Sequence, residues 1–315
     1  MVSIAASKLW QEIEEAEPCT HGSIRIVPLV GPSVDDPSYR LLDAETAQEV
    51  KVTEVDEGGS VPNIKVGNDL DDRLLLIDGQ ELIGAKQNRI LNTDVLVAAH
   101  DQIVIPVSCV EQGRWGYRSR GFSPGRFSPG SSRGRKAEKV HRALREKRGH
   151  SSDQAEVWDD MRLMICRLET SSPTMAINDV YKQKEPDLAE FRTAFELPRQ
   201  TVGIAVYLGK RFLGFDLFDR ASTFRHYWKS LIDSYALDWL AYKARAADEA
   251  SEGDDPPSVS ELVEALSGAP WDRFDSPGEG SDLRWESERL TASALAWGDD
   301  SVVHLQAFPK APMTE

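Results

Sequence analysis

The strongest constraint in this sequence is where its strand-length apolar runs fall: they fill both ends of the chain and leave helical periodicity to the middle. Ile24–Val30 closes on a Gly31-Pro32 turn, and Val50–Val55, Val61–Val66, Arg73–Ile77, Ile90–Ala99 and Ile103–Glu111 follow it. β-Branched and aliphatic residues bounded by Gly, Pro, Asn and Asp are the signature of strands. Asp78-Gly79 and Asn92-Thr93 mark turn positions, and the first has the chemistry of a hairpin turn. At the other end, Thr291–Trp297 and Val302–Phe308 alternate around Gly298-Asp299-Asp300 and read as a terminal hairpin.

Between these ends the period changes. Val157, Met161, Met164, Ile165 and Leu168 recur at helical spacing behind Ser151 and Gln154, which have the form of a capping box. Phe224, Trp228, Leu231, Tyr235 and Trp239 mark a long helix from about Ser222 to Lys243, an aromatic stripe that reads as core. Ser258 and Glu261 open a further helix that Gly268 and Pro270 close. A short N-terminal helix is expected over residues 3–16. Val202–Leu208 and Phe212–Phe218 flank Gly209-Lys210 as a hairpin.

Strands at both ends with helices between them imply an α+β fold: a mainly antiparallel or mixed sheet, with helices inserted between the N- and C-terminal strands. We read residues 1–315 as one domain, in which the C-terminal hairpin returns to the first sheet. There is no alternating βαβ pattern and no GxGxxG, which disfavours a doubly wound dinucleotide-binding fold. The 40% apolar content is sufficient for a large core. The apolar runs are strand-sized and the N-terminus is acidic, so neither a membrane span nor a signal peptide is expected, and the chain reads as cytoplasmic.

Charge is unevenly spread. The net value is −15, yet residues 114–148 hold twelve basic and two acidic residues. General nucleic-acid binding is not expected at this overall charge, while a local anion site stays open. Residues 116–135 repeat Phe-Ser-Pro-Gly at Phe122 and Phe127 and are rich in Arg, Gly and Ser; this composition predicts a mobile loop. Residues 246–257 read as an acidic linker. The six histidines show no metal spacing, and Cys19, Cys109 and Cys166 form no framework, so no metal site is expected.

The segment from Glu81 to Trp115 is the candidate for chemistry. Lys86, Gln87, Asn88 and Arg89 carry four consecutive hydrogen-bonding side chains among apolar neighbours. Read as a strand, Lys86 and Asn88 share one face, and Gln87 and Arg89 the other. Buried without partners, such groups would cost about 1–3 kcal/mol each. Two readings stay open: an internally paired network, or groups kept for a ligand. The run Ile103–Glu111 is apolar on both faces, which places the Glu111 carboxylate at the inward end of a covered strand, with Lys86, Arg89 and Arg114 as compensating cations. Arg suits phosphate, Trp115 a flat base, and Asn or Gln an adenine edge. These residue types favour a nucleotide-like anion, with Glu111 as candidate general base and Lys86, Gln87, Asn88, Arg89, Gln112, Arg114 and Trp115 as candidate ligand-binding residues.

Gly84-Ala-Lys-Gln-Asn-Arg-Ile90 and Pro106-Val-Ser-Cys-Val-Glu-Gln-Gly-Arg-Trp115 resemble a domain family named for its association with ADP-ribosylglycohydrolases and rhodanese/phosphatase-superfamily proteins. The likeness extends to Gly203–Gly209, Gly214–Phe218 and Ser234–Asp238, and so covers residues 20–310. The resemblance implies a role near ADP-ribose or related nucleotide metabolism, with proteins of that metabolism as partners. Were the chain an enzyme, it implies a hydrolase of ADP-ribose-related substrates. It brings no established catalytic residue and no cofactor. The rival reading is a non-catalytic scaffold whose polar motif is structural.

Overall fold

The computed structural model describes residues 4, 7–34, 36–43, 45–245, 255–298 and 301–310. Among these, eighteen strands and seven α-helices form an α+β fold built on three sheets.

The largest sheet has nine strands. Its order is β1 (Glu14–Glu15), β3 (Ile24–Val30), β13 (Thr201–Leu208), β14 (Arg211–Phe218), β18 (Ser301–Pro309), β17 (Leu290–Trp297), β16 (Ser281–Glu286) and β15 (Asp272–Asp275), with β2 (Cys19–His21) also on β3. Every pair in it is antiparallel. The expected 201–218 and 290–309 hairpins are both present, and β18 pairs with β14, so the end of the chain does rejoin the sheet that holds β3. β13 is buried along its whole length because both sheet faces are covered. On one face Ile204 and Val206 pack with Leu231 and Tyr235 of α6 (Ala221–Arg245); on the other Val202 and Ala205 pack with Leu262 and Leu266 of α7 (Val259–Ser267).

The second layer is a six-stranded antiparallel path: β12 (Phe122–Phe127), β8 (Gln80–Gly84), β9 (Arg89–Leu91), β11 (Asp101–Cys109), β6 (Asn63–Asn68) and β5 (Val50–Glu54). A bridge from Thr53 to Gly121 brings β5 back to the start of β12 and closes the path into a small barrel. Its interior is aliphatic, with Val52, Ile64, Val66, Leu82, Leu91, Ile105 and Val107 in one cluster. Gly84 sits at φ +133° where β8 meets Gly121; a Cβ there would lie 2.5 Å from the Gly121 carbonyl oxygen, so only glycine fits the closure. Three strands, β10 (Val95–Val97), β7 (Arg73–Leu76) and β4 (Tyr39–Leu41), form the third sheet, whose β4–β7 pair is parallel. Leu74 and Leu76 of β7 join the barrel core, while Leu75 joins the helical core.

Several expectations need correction. The 116–135 segment is not a mobile loop: it supplies β12 and the start of α2 (Gly130–Arg145). Its composition misleads because its arginine and glycine serve burial. Arg133 is fully buried against Asp216, and a Cβ on Gly134 would come within 2.8 Å of Phe308, so the small residue lets α2 lie directly on the sheet. Asp78-Gly79 turns the chain, with Gly79 at φ +83°, but β7 and β8 belong to different sheets and make no hairpin. The Ile90–Ala99 run splits for the same reason, into β9 of the barrel and β10 of the three-stranded sheet. The cap of α3 (Gln154–Arg167) is Asp153, which accepts from the Ala155 and Glu156 amides. Gln154 instead pairs its amide with both backbone groups of Cys109, at 2.8 Å each. The Ser258–Glu261 capping box is present as read. At the N-terminus the helix α1 covers only Lys8–Glu12, and Glu14–Glu15 pair with β3. The acidic segment at 246–254 lies outside the described residues.

Candidate functional site

The polar motif does not lie along a strand. Lys86, Gln87 and Asn88 form the loop of the β8–β9 hairpin, in which Glu81 pairs with Ile90 and Leu82 with Arg89. Alternation of faces therefore fails at Lys86–Asn88, and loop carbonyls become available as acceptors. Glu111 sits just past β11, fully buried, beneath this loop.

Four donors converge on the Glu111 carboxylate. Oε1 accepts from Arg114 Nε at 2.9 Å and from the Thr174 hydroxyl at 2.7 Å; Oε2 accepts from Arg114 Nη2 at 2.6 Å and from the Asn88 amide at 3.0 Å. Burial pushes the Glu111 carboxyl up, but the Arg114, Thr174 and Asn88 donors outweigh it and hold it below the usual carboxylate range. Arg114 also donates to the carbonyls of Ala85 at 2.6 Å, Gly116 at 2.8 Å and Gly84 at 3.1 Å, and to Asn88 Oδ1 at 3.2 Å. Asn88 completes the set: its Oδ1 accepts from the Gly84 amide and its Nδ2 donates to Glu81 Oε1 at 3.0 Å. Burial pushes Glu81 up to about 8, and its Oε2 has no hydrogen-bond partner, the arrangement of a carboxyl that stays protonated at neutral pH.

A second cluster flanks the first. Arg89, 0% exposed, donates to the Gln87 carbonyl at 3.3 Å and to its side chain at 3.2 Å, and lies 3.7 Å from Glu54. Lys86 donates to the Glu57 and Gly58 carbonyls at 2.5 and 2.7 Å, and its own amide binds Glu54 Oε1 at 3.1 Å. Its ammonium lies 5.5 Å from the Trp115 ring and 5.1 Å from the Tyr117 ring, and the Arg89 guanidinium lies 5.7 Å from Trp115. Trp115 and Tyr117 are 50% and 54% exposed, and Arg118 and Arg120 next to them are exposed too. Backbone bonds from Gly116 to Lys86 and from Arg118 to Ala85 fasten this rim to the hairpin loop.

The structure thus brings together Glu111, Arg114 and Asn88, and separately Lys86, Arg89 and Trp115. Gln112 is apart from both, exposed and bonded to Arg162 at 3.0 Å. Arg89 and Arg114 do not face solvent with open donors, so holding phosphate would require each to leave the contacts it makes. Both Glu111 oxygens are occupied, which leaves no lone pair directed at a substrate proton. Burial pushes the Cys109 thiol up to about 11, consistent with a packed, unreactive thiol. Thr174 and Glu54 join the network with no warning in the sequence, since both come from distant loops or strand ends. Tyr117 could have been found: it lies two residues beyond Trp115, with arginines after it.

A further buried polar system joins the barrel to the large sheet. Lys136 pairs with Asp78 and donates to the Leu91 carbonyl at 2.6 Å; Gln306 donates to Asp78 at 2.7 Å; Arg133 and Tyr235 donate to Asp216 at 2.7 and 2.6 Å. Burial depresses His304, but Asp94 and Asp216 overcome that and raise it to about 9. These residues lock α2 between the two layers. Among the described residues no helix is long and apolar enough to cross a membrane.

No curated protein and no solved structure matches the chain. A family model described as the ARG and Rhodanese-Phosphatase-superfamily-associated Protein domain matches residues 12–308, which includes the barrel, its polar hairpin and the nine-stranded sheet. The chain belongs to that family.

Proposed function

We propose that the chain binds an ADP-ribose-like or related nucleotide ligand at the barrel rim, with Trp115 as the stacking surface. The observation that carries this reading is a half-exposed indole fixed over two cations, Lys86 and Arg89, beside a half-exposed Tyr117 and the exposed Arg118 and Arg120. A base stacked on such a ring gains about 1–3 kcal/mol, and neighbouring arginines suit its phosphates. The family's name, which sets the domain beside ADP-ribosylglycohydrolases, supports ADP-ribose as the ligand class. In this reading Glu111, Arg114, Asn88 and Gln87 are positioning residues: they hold the hairpin loop, and the loop holds the rim.

Calorimetric titration with ADP-ribose, NAD and AMP tests it. Saturable binding that weakens at least tenfold in Trp115→Ala, with unchanged melting, is the expected result. An absence of binding to the parent, or equal binding to the variant, would refute it.

A second reading, a non-catalytic scaffold or regulator, is favoured by one observation: the donors and acceptors around Glu111 are spent inside the fold. It requires that Glu111→Gln lower the melting temperature while none of these nucleotides binds.

A further inference from the structure

A cleft of about 1160 Å³ opens between α2, the β13–β14 turn, α7 and the ends of β17 and β18, and it shares no residue with the barrel rim. Six cations line it: Arg135, Arg167, Lys210, Arg211, Arg289 and Lys310. They come from five separate elements and turns, so they are not one polar helix face turned to solvent. Among the described lining residues two acids, Asp255 and Glu261, stand against them, and two of the cations already pair with acids behind the lining, Arg135 with Asp160 at 2.8 Å and Lys310 with Glu286 at 3.1 Å. With Asp160 and Glu286 counted, the described groups at the cleft carry +2 in a chain whose net charge is −15.

Neither acid of the lining closes the site. Glu261 accepts from both the amide and the hydroxyl of Ser258 at 2.7 Å, so its charge is turned to the first turn of α7. Asp255 pairs with Lys210 at 3.2 Å, but both side chains are largely exposed, and such pairs are worth little and yield to a stronger anion. Phe212 and Leu262 form part of an apolar floor. A partly apolar hollow strengthens the attraction of its cations for an anion over that of a flat surface.

We propose that this cleft is a binding site for a small molecule bearing two or more phosphate groups. A single phosphate would engage only part of a lining whose cations come from five elements and turns. A long polyanion such as nucleic acid would leave the cleft and meet the net negative remainder of the chain. A compact di- or triphosphate matches both limits.

The test is titration calorimetry of the full chain with inorganic orthophosphate, pyrophosphate and tripolyphosphate at low and high salt. The expected result is saturable one-to-one binding that strengthens along that series and weakens with salt. Lys210→Gln combined with Arg211→Gln, both at the exposed turn, should weaken tripolyphosphate binding at least tenfold with unchanged melting. Arg289→Gln supplies an independent second variant, expected to weaken it by a smaller factor. Trp115→Ala should leave it unchanged, whatever becomes of nucleotide binding at the rim. No saturable binding by the parent, equal binding by all cleft variants, or a loss in Trp115→Ala as large as in the double variant would each overturn the proposal.

Discussion

Replacing Glu111 by Gln keeps the shape of the side chain and removes its charge. Its four contacts come from Asn88, Thr174 and two nitrogens of Arg114. The new amide nitrogen must face two of these donors, and Arg114 loses its buried counter-charge. Breaking one side of a buried ion pair costs about 3–5 kcal/mol, and Arg114 keeps three carbonyl acceptors, which argues for about 3 kcal/mol. With an unfolding entropy of about 2.1 cal/mol/K per residue, a chain of 315 residues has roughly 0.66 kcal/mol/K at its midpoint. The melting temperature should therefore fall by about 4–5 °C. Thr174→Val removes one hydrogen bond to the same carboxylate, about 1.5 kcal/mol, and should cost about 2 °C. The sign with pH follows from the depressed carboxyl. Because the folded Glu111 pKa is lowered, its stabilisation is present above the ordinary carboxylate range and is lost as pH falls through the folded value. The parent–variant gap in differential scanning calorimetry should be full at neutral pH and close under acid conditions. A change under about 1 °C at pH 7 would refute a structural role for this network.

Glu81→Gln should act in the opposite sense. A carboxyl pushed up to about 8 favours folding below its unfolded value and loses that advantage as pH rises through 8. The variant should match the parent below about pH 4 and melt at least about 2 °C higher at pH 9, since each tenfold change in proton affinity on folding is about 1.4 kcal/mol; equal melting at pH 9 would sink the assignment. Arg133→Met strands Asp216 beside Tyr235 and His304, and should cost about 3 kcal/mol or more, read as a fall of about 5 °C. An unchanged midpoint would show that α2 is not locked by that pair. Stability carried by His304 is present below its unfolded pKa and lost as pH rises through about 9, so His304→Gln should narrow its deficit against the parent at alkaline pH; a constant deficit would contradict the assigned charge.

The sheet content was legible because near-continuous apolar runs such as Ile24–Val30 and Val202–Leu208 carry their own evidence, and each ends at a glycine, Gly31 or Gly209. Sheet membership was not legible. Asp78-Gly79 has hairpin chemistry, yet Asp78 is drawn into a pair with Lys136, which is distant in sequence, and the chain passes to another sheet. The Arg-, Gly- and Ser-rich stretch misread as a loop shows the limit of composition. Arg133 is tolerable in the interior only because Asp216 waits on β14, a partner that no local window reveals. For the polar motif, residue types announced a network but not its direction. Whether Arg114 points at a ligand or at Glu111 depends on where the 84–88 loop puts its carbonyls, and that is set by the closure of the barrel at Gly84. Trp115 was legible as a stacking surface, and its exposure keeps that role available.

The most direct measurement follows the indole N–H resonances of the eight tryptophans during titration with ADP-ribose, with Trp115 assigned by Trp115→Phe. Stacking at Trp115 predicts a saturable displacement of its resonance, with buried Trp10 and Trp271 unmoved. A titration in which Trp115 stays fixed, whether or not another tryptophan responds, would contradict it.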